Sequence, residues 1–277
     1  MHCFPHTAVV RRLASRAISR LAWFMVAVSA FSGAFAQDRL GIVALHGKQG
    51  NPAGEVLEPA ISAIRSAGFL VDAPEMPWSG RRIYDATFTQ ALSEIDRAVD
   101  RLRQAGATKI VVAGMSMGGP AVFAYAATRK VDAVVAWAPA HDPVNDPAMR
   151  SPRFLEAVAK AQQLIANGKG DDLESFPEIN RDIFTVRAAP KVWLSYWDPE
   201  GSNSMPRNAR AFPSAIPVLI VVTTRDPFPQ DEEYLLSKTP AHGLSELIKV
   251  NVPHLQVPRA ASEQTVAWLK KVQSAKP

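Results

Sequence analysis

The sequence predicts an α/β fold: a doubly wound, mostly parallel sheet with an inserted cap. Three observations predict it. Strand-like apolar runs alternate with amphipathic helical segments along most of the chain, the order that builds a parallel sheet covered on both faces. The strand runs are nearly continuous in apolar residues, as burial from both sides requires. The stretch from Ala140 to Pro213 breaks this alternation.

The elements follow in order. "RLGIVALHG" (39–47) is a buried strand, and "VLEPAISAIRSAGF" (56–69) has helical spacing. "FLVDAPEMP" (69–77) is a second strand, ended by Pro74 and Pro77. "YDATFTQALSEIDRAVDRLRQAGA" (84–107) is a long helix whose Leu92, Ile95, Val99 and Leu102 fall on one stripe. "KIVVAGM" (109–115) and "VDAVVAWAPA" (131–140) are strands bracketing a helix that starts just after Ser116. "IPVLIVVTTRDP", "SELIKVNVPH" and "SEQTVAWLKKVQ" then give two further strands and a terminal helix. Between Ala140 and Pro213, "RFLEAVAKAQQLIANG" is helical and is followed by an irregular stretch that includes "VWLSYWDPEGSNSMP". A structureless loop of that length is improbable in a compact domain, so residues 141–213 are expected to form a cap with its own helices.

The first 36 residues read as an export signal. Arg11, Arg12, Arg16 and Arg20 form a basic region without acidic residues, "LAWFMVAVSAFSGAF" is the apolar core, and Ala34 and Ala36 suit a small-residue cleavage site. The apolar run is shorter than the roughly twenty residues that span a bilayer. Residues 37–277 are then the mature domain, periplasmic or secreted, with no stable membrane anchor after cleavage. Removing four arginines from the chain's 31 basic residues leaves 27 against 26 acidic ones. A near-neutral chain whose basic runs never exceed two residues gives no support to nucleic-acid binding. Cys3, the only cysteine, also lies in the signal. Oligomeric state is not legible.

Gly114-Met115-Ser116-Met117-Gly118 fits G-x-S-x-G at a junction of buried strand and helix. A serine in such a turn has a strained backbone, and the glycines remove side chains that would collide with the neighbouring strand and helix. The following helix aims N–H groups and its positive dipole end at the same point, where a negative oxygen can be stabilised.

On these residues the chain resembles the α/β-hydrolase superfamily, and the resemblance covers most of residues 37–277. It implies a nucleophile, an acid and a histidine in that chain order, each at the end of a strand. Ser116 takes the first place, Asp226 the second and His254 the third; Asp231 and Asp198 are rival acids, and His242 a rival base. His46-Gly47, ending the first strand, resembles the loop whose next N–H completes an oxyanion hole, so Lys48 and Met117 are the implied backbone donors. The extra glycines of the multi-glycine lipase loop, associated with bulky tertiary-alcohol esters, are missing here. The Lys48 side chain either draws in an acidic substrate or is solvated.

Trp78, Arg81, Arg82 and Tyr84 follow the second strand at the edge where ligands bind in such sheets, either lining a pocket or packing a surface loop. Trp193, Tyr196 and Trp197 offer an apolar acyl or sugar pocket, or cap core, which is what aromatic residues more often form. The expected function is an exported serine hydrolase acting on a small-molecule ester or related acyl substrate. Peptide or amide cleavage, acyl transfer to another acceptor, and a non-catalytic binding protein of the same fold stay open. No metal-ligand spacing, P-loop or dinucleotide motif occurs, so no metal or other cofactor is expected.

Overall fold

A computed structural model describes residues 1–2, 38–144, 146–180, 183–226 and 233–275. Residues 3–37, which hold nearly all of the segment read as an export signal, lie outside the described residues, as does the rival acid Asp231. The chain divides into two compact units, residues 1–37 and 38–277, and everything below concerns the second.

Six strands form one parallel sheet: β1 (Leu40–Leu45), β2 (Leu70–Asp72), β3 (Lys109–Met115), β4 (Ala133–Trp137), β7 (Val218–Thr223) and β8 (Glu246–Val250). Their order across the sheet is β2-β1-β3-β4-β7-β8. The central strands β1, β3, β4 and β7 are buried along almost their whole length, whereas the edges β2 and β8 are only partly covered. That contrast matches the sequence, since continuous apolar runs mark the centre.

Successive residues point to opposite faces, so each strand feeds two cores. One face takes Val43, Ile110, Val112, Val134 and Ile220 against α2 (Phe88–Gln104) and α3 (Gly118–Thr128). The other takes Ile42, Val111, Val135 and Val221 against α1 (Glu58–Ser66), α7 (Val257–Ala260) and α8 (Ser262–Ser274). Helix α2 begins in a reciprocal cap: Gln90 N–H donates to Thr87 Oγ1 (3.2 Å) and Thr87 N–H to Gln90 Oε1 (2.8 Å). It buries Phe88, Ala91, Leu92, Ile95, Ala98 and Leu102; of the stripe its spacing predicts, Leu92, Ile95 and Leu102 are buried and Val99 is partly buried against the same core. Helix α3 is buried on nearly every side, with Phe123 stacked on Phe212 at 5.7 Å.

The chain between β4 and β7 holds helix α4 (Pro152–Ala166), strands β5 (Glu174–Ile179) and β6 (Ile183–Ala188), and helices α5 (Pro190–Trp197) and α6 (Met205–Arg210). The expectation of an irregular stretch after α4 is corrected here. β5 and β6 pair antiparallel from Glu174↔Ala188 to Ile179↔Ile183, and "VWLSYW" is helical. Pro177 hides the hairpin in the sequence, because proline argues against a central strand. A two-stranded sheet consists only of edges, where proline is tolerated. This segment is tied to the rest by Tyr196 Oη–H donating to Ala86 O (2.9 Å) and Phe88 N–H donating to Ser195 Oγ (2.9 Å).

Candidate active site

Because the sheet is parallel and in register, the loops after its strands leave along one edge. Gly114 pairs with Leu45, so His46-Gly47 departs β1 level with the end of β3. A β-carbon on Gly47 would stand 3.1 Å from Ser116 Cβ, which places the two turns in contact.

Ser116 adopts the left-handed conformation, φ +53°, which costs a non-glycine residue about 1–3 kcal/mol and persists only where surroundings impose it. Here they do. Its N–H donates to Trp137 O (3.0 Å), and its carbonyl accepts from Gly119 N–H (2.8 Å) and Ala140 N–H (3.2 Å). A β-carbon on Gly114 would stand 2.1 Å from Gly118 O, so only glycine permits the helix to start so close behind the strand.

Asp226 and His254 leave the adjacent strands β7 and β8, whose last paired residues are Thr223 and Val250. The two loops are stitched together: Thr224 N–H donates to Val250 O (3.0 Å), Thr223 Oγ1 to Val252 O (2.5 Å), and Arg225 Nε to Asn251 Oδ1 (2.9 Å). Within this frame His254 Nδ1 lies 2.7 Å from Asp226 Oδ2, the carboxylate side chain being 8% exposed and the imidazole 25%. Among the described residues no hydrogen bond joins Ser116 Oγ to His254; such contacts commonly tighten only with substrate present. The rivals are engaged elsewhere: His242 Nδ1 accepts from Leu244 N–H (3.1 Å), and Asp198 Oδ1 from Glu200 N–H (2.9 Å).

The Lys48 and Met117 N–H groups donate to no acceptor among the described residues. His46 is a brace for the Lys48 loop. Its Nδ1–H donates to Gly47 O (2.8 Å), its Nε2 accepts from Met76 N–H (3.0 Å), and its carbonyl accepts from Trp78 Nε1 (2.8 Å). Burial holds its pKa below the ordinary histidine value, which suits this neutral tautomer.

The Lys48 side chain is not solvated as the second expectation had it. It is turned inward at 2% exposure, and its Nζ donates to Glu178 Oε1 at 2.6 Å and to His141 Nδ1 at 3.2 Å. The ammonium also lies 4.9 Å from the centre of the Trp197 ring. Glu178, on β5, accepts in addition from Ile179 N–H (2.7 Å) and Trp197 Nε1 (3.3 Å). Burial, reinforced by the Lys48 charge, pushes His141 down to about 4. Sequence reasoning missed this network entirely: Lys48 and Glu178 are 130 residues apart and no local pattern marks either.

Beside the network lies a cavity of about 480 Å³. Trp78, Arg81, Arg82 and Tyr84 line it with Lys48 and Glu178. Trp193, Tyr196 and Trp197 do not. They are fully buried as core, Trp193 stacked on Phe176 at 4.7 Å, because the hairpin covers the faces that a pocket would need open. Ser116, Asp226 and His254 are also absent from its walls; Lys48 belongs to both places, following Gly47 beside the serine turn and lining the cavity. Arg82 fixes the 75–85 loop with a two-pronged bond to Glu94 (2.6 and 2.8 Å), while Arg81 pairs with Glu75 at the surface.

A model of the alpha/beta hydrolase family matches residues 42–264. The chain belongs to the alpha/beta hydrolase family. Solved structures share its fold at low identity. A structure from work on the metagenome-derived lipolytic enzymes LipS and LipT is 17% identical with TM-score 0.61, covering 85% of this chain and 95% of its own. A thermostable carboxyl esterase from Bacillus coagulans, in complex with glycerol, is 14% identical with TM-score 0.59, covering 86% and 92%. Est1E from Butyrivibrio proteoclasticus, with ferulic acid bound, is 17% identical with TM-score 0.55, covering 85% and 92%. No curated protein matches this alpha/beta hydrolase. Among its described residues no cluster of histidine, cysteine and acidic side chains could hold a metal ion, and no helix is long and apolar enough to cross a membrane.

Proposed function

We propose that this alpha/beta hydrolase is an exported serine hydrolase that cleaves carboxylic esters through Ser116, His254 and Asp226. The observation that carries the reading is the 2.7 Å bond between His254 and Asp226 on the same sheet edge as the left-handed Ser116. A serine hydroxyl is a weak nucleophile at neutral pH and needs a base beside it. The neutral imidazole of His254 takes the Ser116 proton at Nε2 as Oγ attacks the acyl carbon. Asp226 accepts from Nδ1–H, holding the tautomer and balancing the imidazolium.

The carbonyl oxygen, now negative, is held by the Lys48 and Met117 N–H groups, each such donor contributing about 10²–10³ in rate. Collapse breaks the ester bond, and His254 returns the proton to the departing alcohol. Water, deprotonated by His254, then attacks the acyl-enzyme, releasing the acid and restoring Ser116. Residues 141–213 serve as the cap, bringing Glu178 against Lys48 beside the site. The lipolytic and esterase names of the structural neighbours agree with small-molecule esters as the substrate class.

Stopped-flow mixing with p-nitrophenyl esters tests the reading. A burst of nitrophenolate that scales with enzyme and vanishes in Ser116→Ala is expected; ester turnover retained by that variant would refute it.

A further inference from the structure

The cavity beside Lys48 has unbalanced walls. Its two carboxylates are already ion-paired, Glu178 with Lys48 and Asp85 with Arg82. Glu178 takes bonds from Lys48, Ile179 N–H and Trp197. Both oxygens of Asp85 receive Arg82 Nε, at 3.1 and 2.9 Å, and Gln49 Oε1 receives Asn180 Nδ2 at 2.8 Å.

What remains is donor capacity. Lys48 spends only two of its three N–H groups on side-chain acceptors, one on Glu178 and one on His141. The Tyr84 hydroxyl is buried facing the Glu178 carboxylate. Arg81 and Arg82 are paired with carboxylates, whereas Arg187, exposed on β6 in the cavity wall, has no ion-pair partner among the described residues. The loop carrying Tyr84 is held in an uncommon shape, with Ile83 at φ +44° and Tyr84 at φ +59°. Such backbone is retained where the surroundings over-determine it, often at ligand clamps. Trp78, Tyr84 and Phe184 add aromatic wall.

We propose that this cavity receives a carboxylate-bearing end of the ester substrate, with Arg187 as the specificity residue. The inference rests on Ser116 being the nucleophile, since Lys48 and Trp78 tie the loop beside the serine turn to the cavity. An apolar end leaves the third Lys48 N–H and Arg187 unanswered, and a cationic end meets Arg187 where both wall carboxylates are already ion-paired. An acceptor with negative charge satisfies both conditions.

The test uses matched substrates on the full chain. One series varies the acyl side, p-nitrophenyl hydrogen glutarate against p-nitrophenyl valerate; the other varies the alcohol side, 4-acetoxybenzoate against 4-methylphenyl acetate. In at least one series kcat/KM should favour the carboxylate by about two- to five-fold, the upper part of the range for an exposed charge pair. Arg187→Gln should shrink that ratio and Arg187→Glu should bring it below one. A ratio taken within one preparation is insensitive to how much of a variant is folded. Neutral and charged esters cleaved equally in both series, or a ratio indifferent to Arg187→Glu, overturns the inference and leaves the serine-hydrolase reading intact. No turnover of any ester, together with no covalent labelling of Ser116, overturns both.

Discussion

Lys48 and Glu178 form a buried ion pair, Nζ to Oε1 2.6 Å, that spans 130 residues of sequence and joins the loop after β1 to the β5–β6 hairpin. Taking both charges out of water is expensive, and their attraction offsets the cost only where the remaining donors and acceptors are satisfied. The bonds to His141, Ile179 and Trp197 satisfy all but the third N–H of Lys48.

Breaking one side of the pair should therefore hurt far more than removing both. Glu178→Ala strands a buried ammonium and should cost about 3–5 kcal/mol, while Lys48→Met combined with Glu178→Leu should lie within about 1 kcal/mol of the native protein. Urea denaturation of the three proteins reads this directly. A neutral Glu178→Ala would show that Lys48 finds water, and the burial described above would be wrong.

Asp226→Asn keeps the size of the side chain but favours the wrong imidazole tautomer at His254. Ester turnover should drop on the order of 10⁴-fold with the fold unchanged. A steady-state assay showing native turnover would move the acid's role elsewhere, Asp231 being the next candidate in chain order.

Gly114→Ala places a methyl group where Gly118 O stands 2.1 Å away. Two backbone segments would have to part, so destabilisation at or above the top of the usual overpacking range, about 3 kcal/mol, is expected, with loss of activity. A thermal melt superimposable on that of the native protein would contradict the close approach of β3 and α3.

His141, pushed down to about 4 by burial and by Lys48, gives stability a defined pH dependence. Above the ordinary histidine pKa of about 6.5 it is neutral whether folded or unfolded, and its contribution is complete. As pH falls from about 6.5 toward 4 the unfolded chain gains a proton that the native state refuses, and stability declines by up to about 3 kcal/mol. His46, also lowered by burial, acts with the same sign. His141→Gln should flatten part of this decline in denaturation measured across that window; an unchanged slope would remove His141 as its source.

Most of the sheet was legible because its signal is local. Runs such as 218–223 are apolar throughout, and the 88–102 stripe repeats every three or four residues. The edge positions of Ser116, Asp226 and His254 follow from the same pattern, since each lies just beyond a strand in a parallel sheet. What the sequence withheld depends on distant partners. Pro177 disguised the β5–β6 hairpin, which stands only as a pair of edges. The inward turn of Lys48 depends on a carboxylate supplied by that hairpin. Trp193 and Trp197 look alike in sequence whether they line a pocket or fill a core, and only the packing of Phe154 and Phe176 against them decides it.

The most direct test of the central claim is covalent: incubation with a fluorophosphonate, then peptide mass spectrometry to locate the adduct. The account predicts a single adduct on Ser116, absent from Ser116→Ala and formed far more slowly in His254→Ala. A native protein that stays unmodified, or that carries the adduct on another residue, would contradict it.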